Sequence, residues 1–292
     1  MIVTLLLGVL GALTLYFLFF FVKDVAANKE VMAKEQASWV KSGLIGAFVN
    51  FFDTLGIGSF APLTALLDFF KQLDHDRLLP GTLNVSCTIP VMTEAFIFIK
   101  SVEVDPVTLF AMVAAATVGS FVGSRTVSKL PEKKVQFYMG LALLVTAALM
   151  LLRQFGALDA LGTGNEAVAL TGVKLIIAVV INFFLGALMT IGVGLYAPCM
   201  ALVYMLGLNP LVAFPIMMAS CAGLMPVASA EFIKAGVYAR KSSIAISIGG
   251  IVGVFIAAKF VTGLPMNVLT IIITAVVIYT AVTYIRKSKA AA

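Results

Sequence analysis

The chain predicts an all-α polytopic membrane protein built from two internal repeats and preceded by one extra N-terminal transmembrane helix. Three observations carry that prediction. The 292 residues are 61% hydrophobic and 12% charged, with a mean hydropathy of +1.09, whereas soluble domains carry about 25% charged residues. The segment Thr54-Leu55-Gly56-Ile57-Gly58-Ser59-Phe60-Ala61-Pro62 returns as Thr190-Ile191-Gly192-Val193-Gly194-Leu195-Tyr196-Ala197-Pro198, 136 residues later. Further matches follow at an offset of 134: Ser86-Cys87 with Ser220-Cys221, Phe98-Ile99-Lys100 with Phe232-Ile233-Lys234, Gly119 and Phe121 with Gly253 and Phe255, Arg125 with Lys259, and Leu130-Pro131 with Leu264-Pro265. Ordered matches at a nearly constant offset mark a duplicated unit.

Residues 2–22 form an uncharged apolar run longer than the core of a signal peptide, and no small-residue cleavage site follows. The run reads as a retained transmembrane helix. The stretch 23–41 mixes charges with spaced apolar residues and reaches Trp39. It reads as a cytoplasmic interfacial helix anchored by the indole, with a partner-binding helix as the alternative. Residues 1–38 are thus an N-terminal unit, 39–153 repeat 1, 154–170 a polar, glycine-containing linker, 171–287 repeat 2 and 288–292 a tail. Each repeat opens with a helix, at 39–55 and 172–191, that stops at the glycines. A short helix follows, at 59–71 and 195–207. Three spans complete each unit, at 82–100, 106–126 and 134–152 and at 212–234, 240–260 and 264–286. Short helices of about 13 residues reach roughly 20 Å and cannot cross a hydrocarbon core of about 30 Å.

The positive charges choose between two topologies. If each broken pair turns back, sixteen of the twenty lysines and arginines share one side, leaving Lys100, Arg153, Lys174 and Lys259 opposite. If each pair runs straight through, the split falls to thirteen against seven. The positive-inside rule selects the first arrangement. It implies an inverted repeat in a cell membrane, with the N-terminus outside and the C-terminus cytoplasmic.

A Thr-x-Gly-x-Gly-x-x-x-Pro stretch does not run as a plain helix, because glycine costs roughly 1 kcal/mol against alanine and proline removes a donor. Freed backbone groups cost several kcal/mol each in hydrocarbon, so such a break survives only against protein or a wet cavity. Pro62 and Pro198 are read as the helix-breaking residues. In an inverted pair the two short helices enter the midplane with their N-termini inward, each bringing about half a positive charge and unpaired N–H donors. Together they form an anion site without a buried arginine. The candidate ligands are the amides of Gly56 to Phe60, with Gly56, Gly58, Ser59 and Phe60 foremost, and of Gly192, Gly194 and Tyr196, with hydroxyls from Thr54, Thr190 and Ser59. The competing reading is that Gly-x-Gly only permits close helix packing.

A second polar cluster comprises Asn84, Ser86, Cys87 and Thr88 in repeat 1 and Ser220 and Cys221 in repeat 2. Asn84 and Thr88 share a helical face, and the group either lines the cavity or glues helices together. Asn50 and Asn182, before each break, have the same two readings. Asp53, Glu94 and Glu231 are the carboxylates furthest from loops, and an intramembrane carboxylate is a functional candidate. Asp53 abuts the break as a coupling-proton candidate or a helix cap; its counterpart is Met189. Glu231 is placed to pair with Lys234 on the same helix, and Glu94 has no such partner. His75 lies in a charged loop. Cys87, Cys199 and Cys221 lack metal-ligand spacing. Neither a P-loop, a metal pair nor a catalytic triad is present, which argues against an ATP-driven pump, an enzyme, a metal or any other cofactor. The net charge of +6 sits in short loops, as topology requires, and does not point to nucleic acid.

On Gly56-Ile57-Gly58 and Gly192-Val193-Gly194, each followed by its proline and polar helices, the chain resembles the sulfite exporter TauE/SafE family, also called the toluene sulfonate uptake permease family. The resemblance covers most of residues 39–287. It implies a permease for small anions such as sulfite, sulfoacetate and other sulfonates, coupled to the proton gradient, with the lipid bilayer as its other partner. A passive anion channel of the same architecture and a non-transporting membrane scaffold or assembly factor are the alternatives.

Overall fold

The computed structural model describes residues 2–98, 104–260 and 266–289; Ile99, Lys100, Leu264 and Pro265 of the repeat comparison lie outside them. Among the described residues all regular structure is helical: α1 (Ile2–Ala27), α2 (Lys29–Lys34), α3 (Trp39–Thr54), α4 (Phe60–Phe69), α5 (Leu79–Phe98), α6 (Pro106–Val127), α7 (Glu132–Gln154), α8 (Ala157–Leu161), α9 (Gly172–Met189), α10 (Tyr196–Met205), α11 (Pro210–Ala235), α12 (Arg240–Phe260) and α13 (Met266–Lys289). Helices α1, α6, α7, α9, α11 and α12 are long and apolar enough to cross a membrane. The chain is an all-α multi-pass membrane protein.

Three boundaries depart from the sequence reading. The first helix runs on to Ala27, leaving only the six residues of α2 in the expected interfacial segment, and Trp39 opens α3 instead of closing that segment. The extension is tolerated because Asp24 is paired: it accepts from Arg240 Nε at 2.8 Å and from the Tyr238 hydroxyl at 2.6 Å. The polar linker carries a helix of its own, α8. The two short helices have ten residues each, still less than a span.

Helices α5 and α11 pack against each other at the centre, α7 packs on α13, and the external α1 leans on α11. Helix α3 packs on α12, and α9 packs on α6. Both of these last contacts are backbone-close. A Cβ on Gly249 would stand 1.9 Å from the Gly43 carbonyl oxygen, and one on Gly119 would stand 1.9 Å from that of Phe183. Small residues at such seams are how membrane helices gain van der Waals contact that lipid does not supply.

At the start of α12, Glu35 accepts the amides of Arg240 at 2.9 Å and Lys241 at 2.7 Å, so the α2–α3 connection caps a helix distant in sequence. Burial pushes the Glu35 carboxyl above its ordinary value while those two amides pull it down.

Candidate functional site

Each break is made by glycine at positive φ. Gly56 and Gly58 stand at +84° and +92°, and Gly192 at +107°, a region that side chains with a Cβ rarely enter. The prolines do not make the breaks. Pro62 and Pro198 are the third residues of α4 and α10, where the missing N–H would have had no intrahelical acceptor in any case. Proline there fixes the first turn after the break.

The donor sets are narrower than the sequence suggests. The Gly56 and Ile57 amides are spent on the Asp53 and Phe52 carbonyls at 2.7 and 3.1 Å, and those of Gly192 and Val193 on Met189 and Leu188 at 3.0 and 3.3 Å. The first bonds inside the short helices run from Leu63 to the Ser59 carbonyl and from Cys199 to that of Leu195. The amides left at the helix mouths belong to Gly58 to Ala61 and Gly194 to Ala197.

Both mouths open on one small cavity, with free room of about 40 Å³. Of the sequence candidates, Asp53, Gly58, Ser59, Phe60, Gly194, Tyr196 and Cys221 line it. Thr54 and Thr190 are buried beside it. Thr54 Oγ1 is 2.8 Å from the Asn50 carbonyl and 2.9 Å from Glu94 Oε1, and the Thr190 hydroxyl turns back to the Ala187 carbonyl at 2.6 Å. Gly56 and Gly192 shape the turns without lining the cavity.

The second polar cluster mostly serves packing. Asn84 Nδ2 donates to the Pro80 carbonyl at 2.8 Å, Thr88 meets Ser229 of α11 at 2.9 Å, and the Ser86 carbonyl accepts from Ser247 of α12 at 2.8 Å. Ser220 accepts from Asn182 Nδ2 at 3.1 Å. Cys87 is buried outside the cavity lining. Asn84, Ser86, Cys87 and Ser220 are therefore not brought to the cavity.

Asp53 sits at the mouth of α4, where its Oδ2 accepts from the Ser59 hydroxyl at 3.0 Å. A carboxylate at a helix N-terminus is favoured by the exposed donors and the dipole. Glu231 pairs with Lys234 at 2.8 Å, as the spacing predicts, and also with Arg125 of α6 at 2.7 Å.

Sequence reasoning missed three contributions. The Arg153 guanidinium, assigned to a loop on the outer side, donates to the Gly56 carbonyl within the first break. Thr146 and Met150 of α7 line the cavity, and Thr146 Oγ1 is buried without a hydrogen-bond partner. Glu94, left without a partner, is fully buried between the two breaks: its Oε1 faces Thr54 and its Oε2 accepts from the Tyr196 hydroxyl at 3.1 Å.

A family model described as Sulfite exporter TauE/SafE matches residues 1–150. No curated protein and no solved structure matches the chain.

Proposed function

The chain belongs to the sulfite exporter TauE/SafE family, and from that premise we propose a secondary transporter of small organosulfur anions that works by alternating access around the cavity between its two breaks. That it is a multi-pass protein of a transporter family follows from the match and the membrane-spanning helices. The substrate class, the site and the coupling are our reading.

One observation carries it: two short helices, neither long enough to span, point their first turns into a common cavity. The amides of Gly58 to Phe60 and Gly194 to Tyr196 hold the sulfonate or sulfite oxygens there, as half-helix N-termini hold anions in other transporters, while the Ser59 hydroxyl stays on Asp53. Asp53, in the same lining, carries the coupling proton.

The mode of packing supports two repeats related by a pseudo-two-fold axis. The first helix of repeat 1, α3, lies on α12 of repeat 2, and the first helix of repeat 2, α9, lies on α6 of repeat 1. Likewise α4 touches α13 and α10 touches α7. This reciprocal exchange of partners is what a pseudo-two-fold relation between the halves produces, and it lets one half rock against the other; the charge asymmetry is what sets its axis in the membrane plane. We place the N-terminus outside and the C-terminus in the cytoplasm of the cell membrane, on the charge asymmetry.

Purified protein in liposomes tests the reading. Flux of sulfite, sulfoacetate and a simple alkanesulfonate is measured with and without an imposed pH gradient. A coupled transporter accumulates the anion only with the gradient. Equilibration that ignores the gradient would mean a channel, and no flux at all would mean a scaffold.

A further inference from the structure

We propose that Glu94 holds a proton in this conformation and is the latch that ties the first break to the second, released when that proton leaves. The proposal rests on the transporter reading above and assigns a second, distinct protonation site within it.

The Thr54 hydroxyl has one proton and two close oxygen neighbours, the Asn50 carbonyl at 2.8 Å and Glu94 Oε1 at 2.9 Å. The carbonyl can only accept. If Glu94 is ionised it also can only accept, so one hydrogen must serve two short oxygen–oxygen contacts; the Asn50 carbonyl already holds the Thr54 amide inside α3, and the contact left without a hydrogen sets oxygen against oxygen in a water-poor site. If Oε1 carries a proton, every contact is satisfied at once: Glu94 donates to Thr54, Thr54 donates to Asn50, and Tyr196 donates to Oε2, 3.1 Å away.

Among the described residues no cation is paired with Glu94. The titratable groups around it are Asp53 of α3, Cys87 of its own helix, Tyr196 of α10 and Cys221 of α11. Helices α1, α4 and α12 and the turn at Asp76–Leu78 also pack against α5, and the hydrogen bonds of Glu94 run to Thr54 and Tyr196. An ionised Glu94 beside Asp53 would put like charges together in a region without a compensating partner.

The position explains the function. Thr54 is the last residue of α3, at the first break, and Tyr196 is the first residue of α10, after the second. Glu94 is thus bonded to both halves at the point where they must move relative to each other. With the proton gone, a fully buried carboxylate stands beside Asp53 without a counter-charge, and this arrangement is disfavoured against one in which the halves part and water reaches Glu94.

Infrared spectroscopy of the full-length purified protein at neutral pH, without substrate, tests the proton directly. The carbonyl band of a buried protonated carboxylic acid should be present in the parent and diminished in Glu94→Gln. Should that variant fail to fold, Tyr196→Phe removes the donor to Oε2 and should move the band to higher frequency. A band that neither variant alters overturns the proposal. In liposomes, Glu94→Gln keeps a neutral latch closed. It should still bind an alkanesulfonate but exchange it about tenfold more slowly, a barrier increase of about 1.4 kcal/mol, at every pH. Parent-like exchange that keeps its pH dependence overturns the latch even if the band is lost. Failure of the parent itself to bind sulfonates sinks the anion site instead, and leaves the infrared assignment standing.

Discussion

The two breaks share a backbone device and differ in chemistry. The first is polar: Asp53 meets Ser59 at 3.0 Å, Arg153 caps the Gly56 carbonyl, and two glycines stand at positive φ. The second is apolar: Met189 replaces the carboxylate, the Cys221 thiol lies 3.8 Å from its sulfur, and the Met139 side chain closes over Gly192, the only glycine of its pair at positive φ. The two breaks share what the backbone needs, a stop and a short helix with a free N-terminus. They do not share the charge. At the mouth of α4 the Ser59 hydroxyl is committed to Asp53, and at the mouth of α10 the Tyr196 hydroxyl is committed to Glu94. On the reading proposed above, the first half handles the proton and both mouths contribute amides.

The largest effect to expect concerns the inversion that makes this comparison meaningful. Lys100 and Lys234 correspond in sequence and should face opposite sides. Single cysteines at 100 and 234, in a background without Cys87, Cys199 and Cys221, are probed with an impermeant maleimide added outside intact cells. Position 100 should react and position 234 should stay protected until the membrane is opened. If both label from outside, the halves are parallel and the two breaks do not oppose each other.

Next in size is the consequence of filling the mouths. Gly58→Leu and Gly194→Leu both project side chains toward the cavity and should abolish binding of a sulfonate, measured by calorimetry on folded protein. Milder replacements separate the breaks. Gly58→Ala forces a Cβ into positive φ and should cost about 1–2 kcal/mol in stability, whereas Gly194, outside that region, should accept alanine with little change in melting temperature. Equal penalties would mean that the breaks are alike in strain as well as in sequence.

How far these features could be read in advance depends on how local they are. Glycine and proline act on their own backbone, so the stops, the short helices and the paired motif were visible in the chain. Even so, proline was given the glycine's work, because its place in the first turn of α4 and α10 depends on where the helix starts. Contacts between distant segments were illegible. Glu94 finds Thr54 40 residues away and Tyr196 102 away, and Arg153 reaches Gly56 across 97. Neither pairing has a periodic signature. The polar cluster around Asn84 and Ser220 was ambiguous for the opposite reason: the same small polar residues line cavities and bind helices together, and only the packing of α5, α11 and α12 decides.

Asp53→Asn removes the charge that separates the two breaks while keeping an acceptor for Ser59. An amide resembles the protonated acid in shape and hydrogen bonding, so sulfonate binding and counterflow without a gradient should persist, and accumulation driven by a pH gradient should vanish. Uphill transport equal to the parent's would make Asp53 a helix cap and leave coupling to other residues.

The smallest expected effect tests whether the cap on the first break matters to transport at all. Arg153 is half-buried and donates to the carbonyl of Gly56, so Arg153→Met should remove one charge-assisted bond while keeping an apolar stem along α7. Partial exposure discounts the loss to about 1 kcal/mol. That is enough to let the first break sample other conformations and to weaken sulfonate affinity several-fold, with the pH dependence of flux unchanged because neither Asp53 nor Glu94 is touched. If affinity is unaffected, the break is held by its own turn bonds from Gly56 to Asp53 and Ile57 to Phe52, and in that respect the two breaks are equivalent after all.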